Sequence, residues 1–146
     1  LIILNTDEFN ERNFQKAHIS ADPRTTGELA DFRVIEIPIK TQTLEAVKPS
    51  GLSKRDAEQC KNFWGLGCIL WMFGRERAPI EAWINRKFAN EPAVLAGNMM
   101  ALAAGHAYAE TAELSAEIPQ FAIGPAPMEA GDYRSITGAE ALALGL

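Results

Sequence analysis

The sequence predicts an α/β fold rich in helix, and three observations carry that prediction. Residues 1–4, Leu-Ile-Ile-Leu, are continuously apolar, as in a strand of a parallel sheet covered by helices on both faces. Residues 32–39, FRVIEIPI, alternate in part and close on a proline, as a second strand would. From Ser53 onward the apolar period changes to three or four residues, which is helical.

The elements follow in order. After the opening strand, Asn5 and Glu8 have the spacing of a helix cap, and Phe9 and Phe14 mark a short amphipathic helix reaching Ala17. Asp22-Pro23 and Gly27 make a loop before the second strand, so strand, helix and strand form a βαβ-type layer. A brief helix over residues 43–47 ends at Pro49 and Gly51. One long helix then starts at Ser53, with Ala57, Cys60, Trp64, Gly67 and Trp71 on one row and Phe63, Leu66, Leu70 and Phe73 beside it. Its second half is apolar nearly all round and should be buried. Gly65 and Gly67 do not make a nucleotide loop, because Leu70 stands where a third glycine would be; close helix packing is expected at both.

Pro79 opens a further helix and Pro92 another, the latter extending to about Ala112 and rich enough in Ala and Gly to admit a neighbouring backbone. Leu95, Met99, Leu102 and His106 form one stripe on it. Prolines 119, 125 and 127 with Gly124 and Gly131 define an extended linker. Thr137 and Glu140 have capping-box spacing and should start a last helix. Apolar residues at both ends lack a partner within the sequence, so the expectation is a segment of a longer polypeptide.

Composition excludes several classes. The chain has 146 residues, 47% hydrophobic and 23% charged, with a net charge of -5, which fits a globular protein and argues against nucleic acid or an anionic membrane as partner. The apolar run at residues 63–73 is too short to cross a bilayer, for which about twenty residues are needed. No basic, apolar and small-residue leader is visible in the first residues, and two cysteines eight positions apart on one helix are beyond disulfide reach, as buried thiols in a reducing cytosol would be.

Chemistry-bearing clusters are sparse. His106, Glu110 and Glu113 share a helix face and form a divalent-metal ligand set on paper, outweighed by the reading of a partly buried histidine beside solvated acids. His18 lies in a polar segment with no acid or nucleophile partner. Cys60 and Cys68 lack a companion CxxC pair, which disfavours a zinc or iron-sulfur site. Lys54, Arg55 and Lys61, and Arg75, Arg77, Arg86 and Lys87, form basic patches at helix ends, read as solvated or interface faces, with an anionic cofactor tail as the minor alternative. Ser50, Ser53, Ser115 and Ser135 show no nucleophile elbow.

The stretch KNFWGLGCILWMFGRERAPIEAWINRKFANEPAVLAGNMMALAAGHAYAET, beginning at Lys61, resembles the 2-oxoacid:ferredoxin oxidoreductases, in particular their large subunit with a gamma-type domain fused ahead of a thiamine-pyrimidine domain. A second match, GDYRSITG at residues 131–138 and the ALALGL after it, resembles the entry to the pyrimidine domain; Ala139 departs from the Asn common after TG. The wording is most similar to the 2-oxoglutarate enzymes, with pyruvate and branched-chain 2-oxoacid enzymes as the next alternatives. The resemblance implies the C-terminal part of a Rossmann-like gamma domain over residues 1–114, a linker over 115–132 and the truncated start of a pyrimidine-binding domain over 133–146.

It also implies oxidative decarboxylation of a 2-oxoacid to acyl-CoA and CO2 with reduction of ferredoxin. Thiamine diphosphate with Mg, coenzyme A and an iron-sulfur cluster would serve the whole complex, with a beta subunit as partner in a cytoplasmic hetero-oligomer. The family's catalytic and cofactor-binding positions lie outside this segment, so none falls on a numbered residue, and the segment is expected to act as scaffold. A non-catalytic α/β interaction module, docking through its Ala-rich helix, is the reading from a different class.

Overall fold

A computed structural model describes residues 1–111 and 118–145. Strand β1 (Ile2–Asn5) pairs in parallel with β2 (Val34–Ile37), in the register Ile2↔Val34 to Asn5↔Ile37. The α/β expectation holds, with helices in the majority: α1 (Glu11–Lys16), α2 (Ile39–Val47), α3 (Lys54–Gln59), α4 (Lys61–Met72), α5 (Ala78–Lys87), α6 (Pro92–Glu110) and α7 (Gly138–Gly145). Ile35 and Ile37 face the helices and enter the main core with Val47, Trp64, Cys68, Met72 and Ala101.

The second strand is shorter than the run over residues 32–39 predicts. Phe32 sits in a turn with its N–H on the Leu29 carbonyl and lies half exposed, and Pro38 already stands at the start of α2. That helix begins four residues before its expected start, because long-range caps hold its first turn. The Ile39 N–H donates to Asn5 Oδ1 at 3.0 Å, and Asp7 accepts from the Thr41 N–H at 2.8 Å and from its hydroxyl at 2.9 Å. A carboxylate at a helix N-terminus also meets the positive end of the macrodipole. Asn5 is therefore not the local cap the sequence suggests. Asn10 caps α1 instead, accepting from the Asn13 N–H at 3.1 Å.

The expected single helix from Ser53 is two helices meeting at Cys60. Ser53 and Asp56 cap α3 reciprocally, with hydroxyl to carboxylate at 2.6 Å and Asp56 N–H to hydroxyl at 3.2 Å. At the junction the Cys60 carbonyl accepts from the N–H groups of both Phe63 and Trp64. Pro79 and Pro92 fall in the first turns of α5 and α6 as expected, where a missing N–H costs nothing.

Helices α4 and α6 cross at two glycines. A Cβ on Gly67 would strike the Leu102 carbonyl and stand 2.7 Å from the His106 main-chain nitrogen, and one on Gly105 would strike the Trp64 carbonyl. Gly65, for which the same role was expected, has open space where a side chain would go. Beside this crossing Trp64 packs on Tyr108 with ring centroids 4.9 Å apart, and Leu102 joins Leu70 and Ile84 in a second cluster that secures α5.

Residues 119–137 contain no helix or strand, yet the first part of this stretch is anchored. Ile118 is fully buried, the Phe121 N–H donates to the Met72 carbonyl at 2.7 Å, and the Phe121 ring stacks on Phe73 at 5.3 Å. Helix α7 then starts from the expected capping box: the Thr137 N–H donates to Glu140 Oε2 at 2.7 Å and the Glu140 N–H to the Thr137 hydroxyl at 3.2 Å.

Candidate functional site: an apolar packing face

The outer side of α4 and the start of β1 form a continuous apolar shelf. Leu1, Ile3, Ile69, Met72, Phe73 and Phe121 enclose about 380 Å³. A neighbouring groove of about 540 Å³ runs along the same helix past Leu66 and the bare Gly65 to Asn5 and Ile39. Ile69 belongs to both and is 44% exposed, whereas most apolar residues on the inner side of α4 are sealed. The expectation that the second half of this helix is buried therefore holds only for the side packed on α6; the opposite side, at Ile69, faces outward.

Aliphatic and aromatic walls exclude water and supply dispersion; they move no protons. At the groove's edge the Lys61 ammonium bonds Glu8 at 3.4 Å, and this bond holds the Glu8 carboxyl below its usual range.

Sequence-flagged residues fall into separate places. His106 Nδ1 lies 3.8 Å from Glu110 Oε2, with Glu110 largely exposed, and Glu113 lies outside the described residues. Among the described residues no group of three metal-ligating side chains comes together. His18 is exposed in a left-handed conformation, φ 56°, where it closes the end of α1. Ser50 donates to the Val47 carbonyl, Ser53 caps α3, Ser135 is exposed and Ser115 lies outside the described residues. Of the basic residues, Lys61 and Arg77 pair with Glu8 and Glu81, and Lys54, Arg55, Arg75, Arg86 and Lys87 are exposed at separate helix ends.

Both cysteines are buried free thiols. Cys68 donates to the Gly105 carbonyl at 3.1 Å, and burial pushes its thiol up to about 12; Cys60 leans on the Asp56 carbonyl and is also raised by burial. Such thiols stay protonated and are poor metal or cluster ligands. Sequence reasoning missed Asn98, buried within the apolar run of α6, and Asp7, whose capping partner lies 34 residues away. A lone Asn in PAVLAGNMM was the available signal for the first; nothing local marks the second.

Residues 1–108 match the family model described as pyruvate ferredoxin/flavodoxin oxidoreductase. Over its whole length the chain is 41% identical to 2-oxoglutarate oxidoreductase subunit KorA of Mycobacterium tuberculosis (strain ATCC 25618 / H37Rv), spanning 22% of that protein. No solved structure matches significantly. With the family model covering residues 1–108 and the identity extending to the end of the sequence, the chain belongs to the pyruvate ferredoxin/flavodoxin oxidoreductase family and, within the 2-oxoacid:ferredoxin oxidoreductases, is most like the 2-oxoglutarate enzyme.

Proposed function

We propose that this chain is a segment of the alpha subunit of a 2-oxoglutarate:ferredoxin oxidoreductase, and that it acts as scaffold for chemistry performed elsewhere in the enzyme. The 41% identity to the KorA subunit across all 146 residues carries this reading. Residues 1–114 are the C-terminal part of a Rossmann-like gamma domain, 115–132 the linker and 133–146 the entry to the pyrimidine-binding domain. The parallel β1–β2 pair and the lack of helix or strand over residues 119–137 support that division.

The reaction is oxidative decarboxylation of a 2-oxoacid with coenzyme A and ferredoxin, the thiamine diphosphate supplying the electron sink when bound. The described residues of this segment do not fit a metal ion or an iron-sulfur cluster: the two thiols are buried against main-chain carbonyls, and no three acids, histidines or cysteines come together as a metal-ligand group. No step is therefore routed through a residue here. What the segment supplies is a rigid α4–α6 pair, an apolar outer face for the rest of the assembly, and an anchored exit through Phe121. A beta subunit carries the remaining cofactor ligands in a cytoplasmic hetero-oligomer; no described helix is long and apolar enough to cross a membrane.

The test is ferredoxin reduction by the full-length enzyme, purified with its partner chain, with coenzyme A and 2-oxoglutarate, pyruvate or a branched-chain 2-oxoacid. Preference for 2-oxoglutarate is expected. Turnover of none of the three would overturn the reading, and a preference for pyruvate would move it to the sister activity.

A further inference from the structure

A cleft separate from the apolar shelf opens between the α3–α4 junction and the start of α6, with a volume of about 310 Å³. Asn98 lines it and is only 4% exposed, but its carboxamide has no hydrogen-bond partner among the described residues. No sealed side-chain polar atom among those residues lacks a partner, so the amide is not walled in; its outlet is the cleft. A largely buried amide that opens on a cavity is placed to bond a ligand atom that displaces water there, with little further desolvation of its own.

The rest of the lining states which ligand. Asp56 and Glu91 contribute two carboxylates, Gln59 and Asn62 two more amides, and no basic residue lines the walls. Asp56 already accepts from Ser53, a neutral hydroxyl, and the nearby Lys61 is engaged with Glu8. Phe63 and Phe88 meet edge to face, with centroids 6.3 Å apart, and both border the space. Carboxylates and amide carbonyls accept; ring faces attract cations. A guanidinium, with five donors and no acceptor on a flat frame, meets both, and an ammonium meets the first. The volume lies at the lower end for ligand sites, which suits a group the size of a side chain.

We propose that this cleft receives a guanidinium or ammonium group, either from an arginine or lysine of a neighbouring chain or from a free amine. The proposal stands independently of which 2-oxoacid the enzyme uses. Methylguanidinium is the probe, detected by saturation-transfer NMR on the full-length polypeptide alone and on the complex it forms with other chains. Binding by the free polypeptide is expected, weakened about five-fold by Asp56→Asn or Glu91→Gln and by about as much by Asn98→Leu. Binding lost on assembly assigns the cation to the neighbouring chain, and binding retained assigns it to a free molecule. No binding by the free polypeptide, or binding indifferent to all three substitutions, overturns the proposal. The two rim substitutions lie at exposed positions, so the test survives should the buried one impair folding.

Discussion

Gly105 of α6 rests its α-carbon against the Trp64 carbonyl of α4, and one turn away Gly67 does the same against the Leu102 carbonyl. The two contacts are reciprocal, so each helix offers one glycine to the other's backbone. The Cys68 thiol spans the same gap to the Gly105 carbonyl. A methyl at either position meets main chain, which cannot rotate aside, so Gly67→Ala or Gly105→Ala forces the helices apart. Each is expected to lose about 3 kcal/mol in denaturant unfolding. Gly65→Ala, with open space around it, is expected to gain about 0.5–1 kcal/mol from helix propensity alone. Equal effects at Gly65 and Gly67 would show that the crossing is not the reason for glycine.

Cys68 gives the fold an alkaline limit. Its thiol is raised from 9.0 to about 12 by burial, so the folded state holds a proton that the unfolded chain releases above pH 9. The contribution is fully present below pH 9 and is lost as pH climbs towards 12, at no more than about 1.4 kcal/mol per pH unit. Cys60, raised for the same reason, adds in the same direction. Unfolding of wild type and Cys68→Ser compared at several pH values from 8 to 11 should show a shallower fall for the serine variant, whose hydroxyl stays neutral.

His18 occupies a position suited to glycine. The Ile19 N–H returns to the Phe14 carbonyl at 2.9 Å and the His18 N–H to Gln15 at 3.2 Å, closing α1 with a left-handed residue. Gly74 closes α4 in the same way, through Arg75 to Leu70 and Gly74 to Trp71, with φ 55°. The left-handed penalty for a side chain, roughly 1–2 kcal/mol, outweighs the added chain entropy of glycine, roughly 0.5–1 kcal/mol. His18→Gly should therefore stabilise by about 0.5 kcal/mol, and Gly74→Ala should destabilise. Thermal unfolding of the two variants checks both signs.

Much of this architecture is legible in the residues. The prolines that open α5 and α6, the Thr137–Glu140 box and the Ala- and Gly-rich face of α6 depend on neighbours within one or two turns, and each appears where the sequence places it. The errors share a different cause. Asn5 has cap spacing to Glu8, but its side chain serves Ile39, on the far side of a parallel crossover, and takes the start of α2 with it. Gly65 and Gly67 are alike in sequence; only the position of α6 separates them. The cleft at Asn98 depends on the same long-range placement. An amide in an apolar stretch is visible, but whether it is satisfied is settled by α3 and the α4 junction.

The linker's anchor makes the last prediction. Phe121 is held by one main-chain bond to Met72 and one ring contact with Phe73, while its side chain stays 40% exposed. Truncation to alanine keeps the first and removes the second. An aromatic pair is worth about 0.5–1.5 kcal/mol, so local opening of the segment should rise about five-fold. Where opening and closing outpace cleavage, proteolysis follows the open population. Limited chymotrypsin or thermolysin digestion, read by mass spectrometry at bonds within residues 122–131, should therefore run about five-fold faster in Phe121→Ala. The global unfolding midpoint should hardly move, because Ile118 remains buried in the core. A midpoint that falls in step with the faster cleavage would instead make Phe121 part of the cooperative core.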